Sequence, residues 1–323
     1  MSRKKWVLMM VCLLISIRSF CWGFYVHQLI NYYAVFLLPP QMMGFYKPHI
    51  NFISEHAVDP DKRRYAVPEE APRHYIDMDR YGPPPYMSLK RKWKEAISVL
   101  TEDTLKQHGI VPWWTEIMLT RLTRAFRDQD QAKILKLSAE LGHYIGDAHV
   151  PLHASSNHNG QLTNQKGIHG FWESRVPELL AEKDWDFFIG RAIYIKRPLD
   201  FIWNRVLESA VEADSVLKFE KKLSDSFPSD RKYAYEDRKG VIIKQYSREY
   251  STAYNTMLNN MAERRFRQAV YCVSSFWYTA WVNAGQPDLR KLLNKSFSPE
   301  EEKDFEQLNA DWKKGSIKGR DCD

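Results

Sequence analysis

The chain has 323 residues, of which 44% are hydrophobic and 14% aromatic, enough to bury one sizeable core or two modest ones. Its net charge of +7 does not by itself indicate nucleic-acid binding, because such proteins usually cluster lysine and arginine on one face. Four cysteines, two of them within the first 21 residues, exclude a disulfide framework as the organising constraint of the fold.

The first 21 residues have the composition of a signal peptide. Basic residues at 3–5 precede an apolar run over 6–17 that is too short to span a bilayer, and Ser19 and Cys21 place small residues at the predicted cleavage site. Cleavage would remove four basic residues and no acidic one, which lowers the net charge to +3. We therefore expect an exported protein, periplasmic or secreted; an uncleaved amphipathic anchor is the alternative.

Cleavage after Cys21 would make Trp22 the first residue of the mature chain. A free α-amino group has a pKa of about 8, so a metal ion can displace its proton and bind the nitrogen. The carbonyl oxygen of the same residue then closes a chelate ring. His27 lies a little more than one helical turn further on, close enough to bind the same ion.

The next candidate ligands are Asp59 and His74, which are fifteen residues apart, and the chain continues from His74 through Tyr75 to Asp77. A proline triplet at 83–85 then predicts a fixed loop.

An amphipathic helix is predicted next, because apolar residues recur at three- and four-residue steps over 134–145. His143 and Asp147 project from one face of this helix, a turn apart. Pro151 is expected to end the helix, so that His153 can turn towards a neighbouring ion.

A polar loop over 157–167 precedes a second helical pair, His169 and Glu173, again four residues apart. Imidazole and carboxylate are the ligand types that borderline divalent zinc binds when cysteine is absent. The pattern predicts a metal-dependent hydrolase.

Most of the remaining chain is predicted to be helical, at about 88–107, 114–127, 198–226 and 250–284. No convincing strand is predicted, and the short run 241–243 is the best candidate. We expect an all-α fold with a single multi-helix domain over 22–290, followed by a C-terminal helical extension and tail over 291–323.

Taken together, the motifs resemble the superfamily that joins bacterial zinc-dependent phospholipases C with secreted single-strand-specific zinc nucleases. The resemblance rests on W-G-x-x-x-H at 22–27, on D-x14-H-Y-I-D at 59–77, and on H-x3-D-x5-H followed by H-x3-E at 143–173. It covers about the first half of the chain, and it implies the all-α fold of that superfamily, three zinc ions and hydrolysis of phosphodiester bonds.

The resemblance also implies which residues hold each zinc ion. The first would be bound by Asp59, His74, His143 and Asp147, and the second by His153, His169 and Glu173. The third would be bound by the amine and carbonyl of Trp22 and by His27, with Asp147 as a bridge to the first. A hydroxide bridging the first two ions would attack phosphorus, and Asp59 would accept a hydrogen bond from the attacking water.

Two substrate classes stay open. The steps from Trp22 to His27 and from Asp59 to His74 resemble the nuclease branch. In that branch the residues at the positions of Tyr75 and Asp77 stack on a base and bind a base edge, and such stacking contributes about 1–3 kcal/mol per base. We therefore favour single-stranded nucleic acid or nucleotides as substrate.

The alternative is a phospholipase C that acts on phospholipid head groups and touches a membrane transiently. Glu173 as the last ligand and the short interval from His153 to His169 resemble that branch. Its choline pocket is not matched, since Tyr25 stands where the branch has an acidic residue. A further alternative is a non-catalytic, zinc-stabilised binding protein, which predicts a closed ligand set without open positions for water. No stable protein partner is implied.

Overall fold

The structure is a computed structural model that describes residues 23–84, 86, 89–238, 240–293, 297–315, 317, 318 and 320. The predicted signal peptide and the predicted ligand Trp22 lie outside the described residues. Within them, the search for a helix with the length and apolar character needed to cross a membrane finds none.

At 69% helix and 4% strand, the molecule has the mostly helical content that an all-α fold requires. Two strands, β1 (Tyr233–Arg238) and β2 (Val241–Tyr246), pair as an antiparallel hairpin. The α-helices are α1 (Gly23–Phe36), α2 (Pro40–Tyr46), α3 (Ile50–Glu55), α4 (Asp59–Arg63), α5 (Trp93–Val99), α6 (Glu102–Gln107), α7 (Val111–Arg127), α8 (Gln131–Ala148), α9 (Ile168–Gly170), α10 (Val176–Asp184), α11 (Pro198–Ser226), α12 (Arg248–Met257), α13 (Met261–Asn283) and α14 (Pro299–Lys314).

Two of the predicted long helices are interrupted. The run 88–107 divides into α5 and α6, because the Thr101 hydroxyl accepts a hydrogen bond from the Thr104 amide at 3.2 Å and starts a new helix. The run 250–284 divides into α12 and α13 at Asn259 and Asn260, which have φ angles of 52° and 54°. Asparagine tolerates this left-handed region better than most residues, so the pair ends one helix and begins the next.

Helix α8 carries two predicted ligands and packs against α1, α3, α7 and α13. The Asp130 side chain caps its N-terminus by accepting from the Lys133 amide at 3.1 Å. Its apolar residues, such as Ile134 and Ile145, are fully buried. The helix ends at Ala148, ahead of the proline at 151, as predicted.

Two glycines of α8 allow α1 to approach it closely. A Cβ atom at Gly142 would lie 1.9 Å from Asn31 Oδ1, and one at Gly146 would lie 2.9 Å from His27 Nδ1. Asn31 Nδ2 also donates to the carbonyl of Ala139 on α8 at 3.0 Å. The missing side chains therefore bring His27 against the ligand-bearing face of α8.

The C-terminal extension packs onto the N-terminal part of the chain. Helix α14 contacts α4, and the ring of Trp312 lies 5.6 Å from the ring of Phe24. Beyond α14, the Lys318 amide donates to the Arg64 carbonyl at 2.9 Å. These contacts are made by residues of the part of the chain predicted to be an extension and tail.

Candidate metal centre

The predicted ligands other than Trp22 are all described, and all but one converge in a single buried cluster. They reach it from α1, from the segment after a 3₁₀ turn at Pro68–Arg73, from α8, from a 3₁₀ turn at Pro151–Ala154, and from α9 with the π-helical turn that follows it at Phe171–Arg175. The cluster consists of His27, Asp61, His74, His143, Asp147, His153, His169 and Glu173.

Four overlapping groups in the cluster have their ligand atoms within 4.8 Å of one another. They are His27–Asp61–His143, His74–His143–Asp147, His153–His169–Glu173 and His27–Asp147–Glu173. Their members share imidazole nitrogen and carboxylate oxygen, the donor types of a divalent metal site. The buried groups are thus compatible with metal binding.

Asp59 is the exception, and its place is taken by Asp61. Asp59 Oδ2 lies 2.5 Å from His56 Nδ1, and its Oδ1 accepts from Lys62 Nζ at 2.9 Å. Asp61 Oδ1 instead lies 3.6 Å from His143 Nε2. Residues two apart on a helix point about 200° from each other, so only one of these two carboxylates of α4 faces the cluster. The structure therefore places Asp61, and not the predicted ligand Asp59, among the other predicted ligands.

Three histidines of the cluster are oriented by main-chain carbonyls. The Nδ1 atoms of His143, His153 and His169 lie 2.8, 2.6 and 3.1 Å from the carbonyl oxygens of residues 57, 74 and 158. A carbonyl oxygen only accepts, so the neutral ring carries its proton on Nδ1. Each Nε2 therefore presents a lone pair, and a second partner of this kind is what fixes metal-binding imidazoles in proteins.

These lone pairs face carboxylates. His143 Nε2 lies 3.2 Å from Asp147 Oδ2, and His169 Nε2 lies 2.7 Å from Glu173 Oε2. Burial raises the pKa of both acids, but the surrounding histidines outweigh it and hold the pKa of Asp147 and of Glu173 well below the usual range. A carboxylate beside each Nε2 requires a positive charge there, either a proton on the ring or a cation between the two groups, so the donor set is compatible with a metal ion.

Two further imidazole nitrogens of the cluster are buried. Among the described residues, His27 Nδ1 has no hydrogen-bond partner, and His74 Nε2 has only the Glu70 carboxylate, 3.5 Å away. His27 Nε2 lies 3.3 Å from Asp147 and 3.5 Å from Glu173. Burial lowers the pKa of His27, yet the hydrogen bonds to these two acids raise it to about 10. A metal ion would replace this proton as the charge between the acids.

Sequence reasoning missed two residues that position ligands. Glu70 is fully buried, and its Oε1 lies 3.5 Å from His74 Nε2. The only signal for it is an acid four residues before His74. Asn159 Oδ1 accepts from the amides of Gly167 and His169 at 2.8 and 3.3 Å, which fixes the start of α9. The sequence gives no comparable signal for Asn159, because asparagine is common in polar loops.

The predicted substrate residues lie on the segment that carries His74. Asp77 Oδ1 accepts from Arg320 Nη1 at 2.5 Å, and the Arg320 guanidinium carbon lies 4.0 Å from the centre of the Tyr75 ring. Burial raises the pKa of Asp77 against the opposing charge of Arg320. The structure therefore brings Tyr75 and Asp77 together around one cationic group from the C-terminal extension.

A basic cleft of about 610 Å³ lies behind Glu70. The guanidinium groups of Arg73 and Arg121 lie 4.0 and 4.9 Å from the Trp114 ring centre. Arg73 Nη1 also donates to Glu70 at 2.5 Å, which links the cleft wall to His74. Its other charged residues are Arg63, Arg124, Asp128, Lys133, Lys136 and Glu140.

Comparison of the chain with protein-family models gives no match, and neither does comparison with curated protein sequences.

Proposed function

We propose that the protein is a zinc-dependent hydrolase of phosphodiester bonds, with a metal centre of the kind found in phospholipases C and single-strand-specific zinc nucleases. One observation supports this above the others. Three buried imidazoles have Nδ1 within hydrogen-bond distance of a main-chain carbonyl and Nε2 facing one of two buried carboxylates.

The proposed ligand sets follow the observed groups. The first ion would be held by Asp61, His74, His143 and Asp147, the second by His153, His169 and Glu173, and the third by His27 with Asp147 and Glu173. If cleavage follows Cys21, the terminal amine and carbonyl of Trp22 would complete the third set. Zinc would supply Lewis acidity, which lowers the pKa of water to about 7 and offsets the charge of a phosphodiester.

Two acidic residues of the chain would assist this chemistry, one by accepting a hydrogen bond and the other by orienting a ligand. Asp61 is the most accessible carboxylate of the cluster, with 13% of its side chain exposed against 2% for Asp147 and 10% for Glu173. We propose that Asp61 accepts a hydrogen bond from the attacking water. Glu70 would keep the His74 ring in place while the substrate turns over.

The basic cleft supports nucleic acid over a neutral lipid as substrate. Six of its eight charged residues are arginine or lysine, although the chain as a whole is only weakly basic. A backbone phosphate every few ångströms suits such a run of cations. Arg121→Ala should weaken binding of single-stranded DNA and flatten its salt dependence, whereas Arg197→Ala, an exposed arginine outside the cleft, should change neither. Equal salt slopes in the two variants would argue against the cleft.

A phospholipase C remains the second candidate because the hairpin exposes apolar side chains. Tyr235 is 74% exposed, Ile242 64% and Val241 45%. Exposed apolar side chains on one element suit contact with a lipid surface. Hydrolysis of phospholipid vesicles without hydrolysis of DNA or RNA would favour this candidate.

The decisive experiment combines metal analysis, N-terminal sequencing and assays of the exported protein on single-stranded DNA, RNA and several phospholipids. Asp147→Asn should lower both zinc content and turnover, and Asp186→Asn, an exposed aspartate paired with Arg267, should lower neither. Zinc-dependent stability with no hydrolysis of any of these substrates would identify a binding protein instead. A fully active protein without bound metal would refute the proposal.

A further inference from the structure

Arg320 lies in a recess formed by residues that closely follow two predicted ligands, His74 and His153. Its Nη1 donates to Asp77 Oδ1 at 2.5 Å, and its Nη2 donates to the Ser155 carbonyl at 2.9 Å. The guanidinium plane lies over the Tyr75 ring, 4.0 Å from its centre. Only 13% of the Arg320 side chain is exposed. The recess therefore offers one flat apolar face and two acceptors at its rim.

Hydrogen bonds also fix the main chain around Arg320. The Arg64 guanidinium donates to the Arg320 carbonyl, and the Lys318 amide donates to the Arg64 carbonyl at 2.9 Å. Lys318 Nζ adds a hydrogen bond to the Ala66 carbonyl at 3.0 Å. These contacts join the C-terminal segment to the end of α4, the helix that carries Asp61.

The recess lies next to the cluster along the chain and through hydrogen bonds. Tyr75 directly follows the ligand His74, and the Ile76 amide donates to the carbonyl of the ligand His153 at 2.9 Å. Ser155 lies two residues after His153. The recess is therefore linked to the proposed metal centre through the main chain of both segments.

We propose that the Arg320 side chain is an internal competitor, which occupies the recess beside the predicted substrate residues Tyr75 and Asp77 until a substrate base displaces it. A guanidinium group is planar and carries several N–H donors in a fixed fork. A nucleobase is also planar and also presents N–H donors along an edge, so the two groups compete for the same aromatic face and the same carboxylate. This regulation rests on the proposed phosphodiesterase function.

The test compares the full mature chain with Arg320→Ala and Arg320→Lys variants. The control is Arg290→Ala, because that exposed arginine is paired only with nearby Asp288 in the described part of the chain. Losing one buried charge-assisted contact is worth about tenfold in an equilibrium. We expect Arg320→Ala to lower KM for a single-stranded oligonucleotide roughly tenfold, with kcat changed less than twofold. Arg320→Lys should lie between, since lysine keeps the charge but not the planar fork.

A second readout does not depend on turnover. Calorimetric titration with the four deoxynucleoside 5′-monophosphates, which contain no diester, should show tighter binding to Arg320→Ala than to the wild type. Unchanged KM and unchanged nucleotide affinity in that variant would overturn the proposal, as would weaker nucleotide binding. Absence of diester hydrolysis in every variant would refute the proposed function, while the titration would still decide whether Arg320 blocks the recess.

Discussion

The choice of Asp61 over Asp59 as a proposed ligand gives the sharpest test of the proposed metal centre. Both acids lie on α4, and the two Asp→Asn changes remove the same charge from positions two residues apart. Asp61 Oδ1 lies 3.7 Å from His74 Nδ1, within the ligand cluster. Loss of a neighbour that only orients a ligand already lowers metal affinity about 10–100-fold. We expect Asp61→Asn to lower metal affinity at least about 100-fold, which is a loss of about 2.8 kcal/mol of binding free energy.

Asp59→Asn should behave differently. Its carboxylate interacts with His56 and Lys62, so the change should leave metal affinity unaltered and lower the free energy of unfolding by about 1–3 kcal/mol, the cost of a weakened buried contact to a charged group. Competition with a chromophoric chelator measures the affinity, and urea unfolding of the chelated protein measures the stability. If Asp59→Asn loses metal and Asp61→Asn retains it, the assignment is wrong.

Three further expectations follow from the same geometry. Chelation should lower the melting temperature seen by calorimetry and added zinc should restore it, with about 2.7 kcal/mol of stabilisation when free zinc is 100 times Kd; an unchanged melting temperature would speak against a buried metal. Gly146→Ala should weaken metal binding because its Cβ would come 2.9 Å from His27 Nδ1, whereas Gly44→Ala meets nothing within 4 Å and should leave metal binding intact. Glu236 has a pKa held below 4.5 by Arg175, although burial acts in the opposite direction, so the stability difference between wild type and Glu236→Gln should be complete above about pH 4.5 and shrink as the pH falls; a constant difference would contradict this.

The helical part of the fold was predictable where amphipathic periodicity is long. Helix α11 has the bounds predicted for it, because a proline at its first position and a sustained apolar stripe mark its limits. The division between α12 and α13 depends on two adjacent asparagines in the left-handed region. Apolar periodicity alone does not reveal this local break, so the two helices were predicted as one. Strand β1 was missed because none of its residues is fully buried and its sequence shows no apolar alternation.

The proposed ligand set was predictable to the extent that helix geometry determined it. Four-residue spacing on one helix brings His143 and Asp147 to 3.2 Å, whatever the rest of the chain does. The choice between Asp59 and Asp61 depends on which face of the short helix α4 turns inward, and that is set by packing against distant helices. Spacing to a ligand elsewhere in the chain carries no information about this rotation. No local sequence pattern could predict the contact of Arg320 with Asp77, because the two residues are 243 positions apart in the chain.

The orientation of the imidazole rings could not be predicted from the sequence, for a different reason. The carbonyls that hold the Nδ1 protons belong to residues 57, 74 and 158, and every residue type offers a carbonyl there. The side chains at 57 and 158 can therefore vary without disturbing these bonds, provided that the main chain keeps its path. Conversely, a change that shifts the main chain by a few tenths of an ångström would misdirect a lone pair while every ligand stays in place. The metal affinity of the proposed centre should therefore respond more to backbone packing around α8 than to the identity of the residues that supply the acceptors.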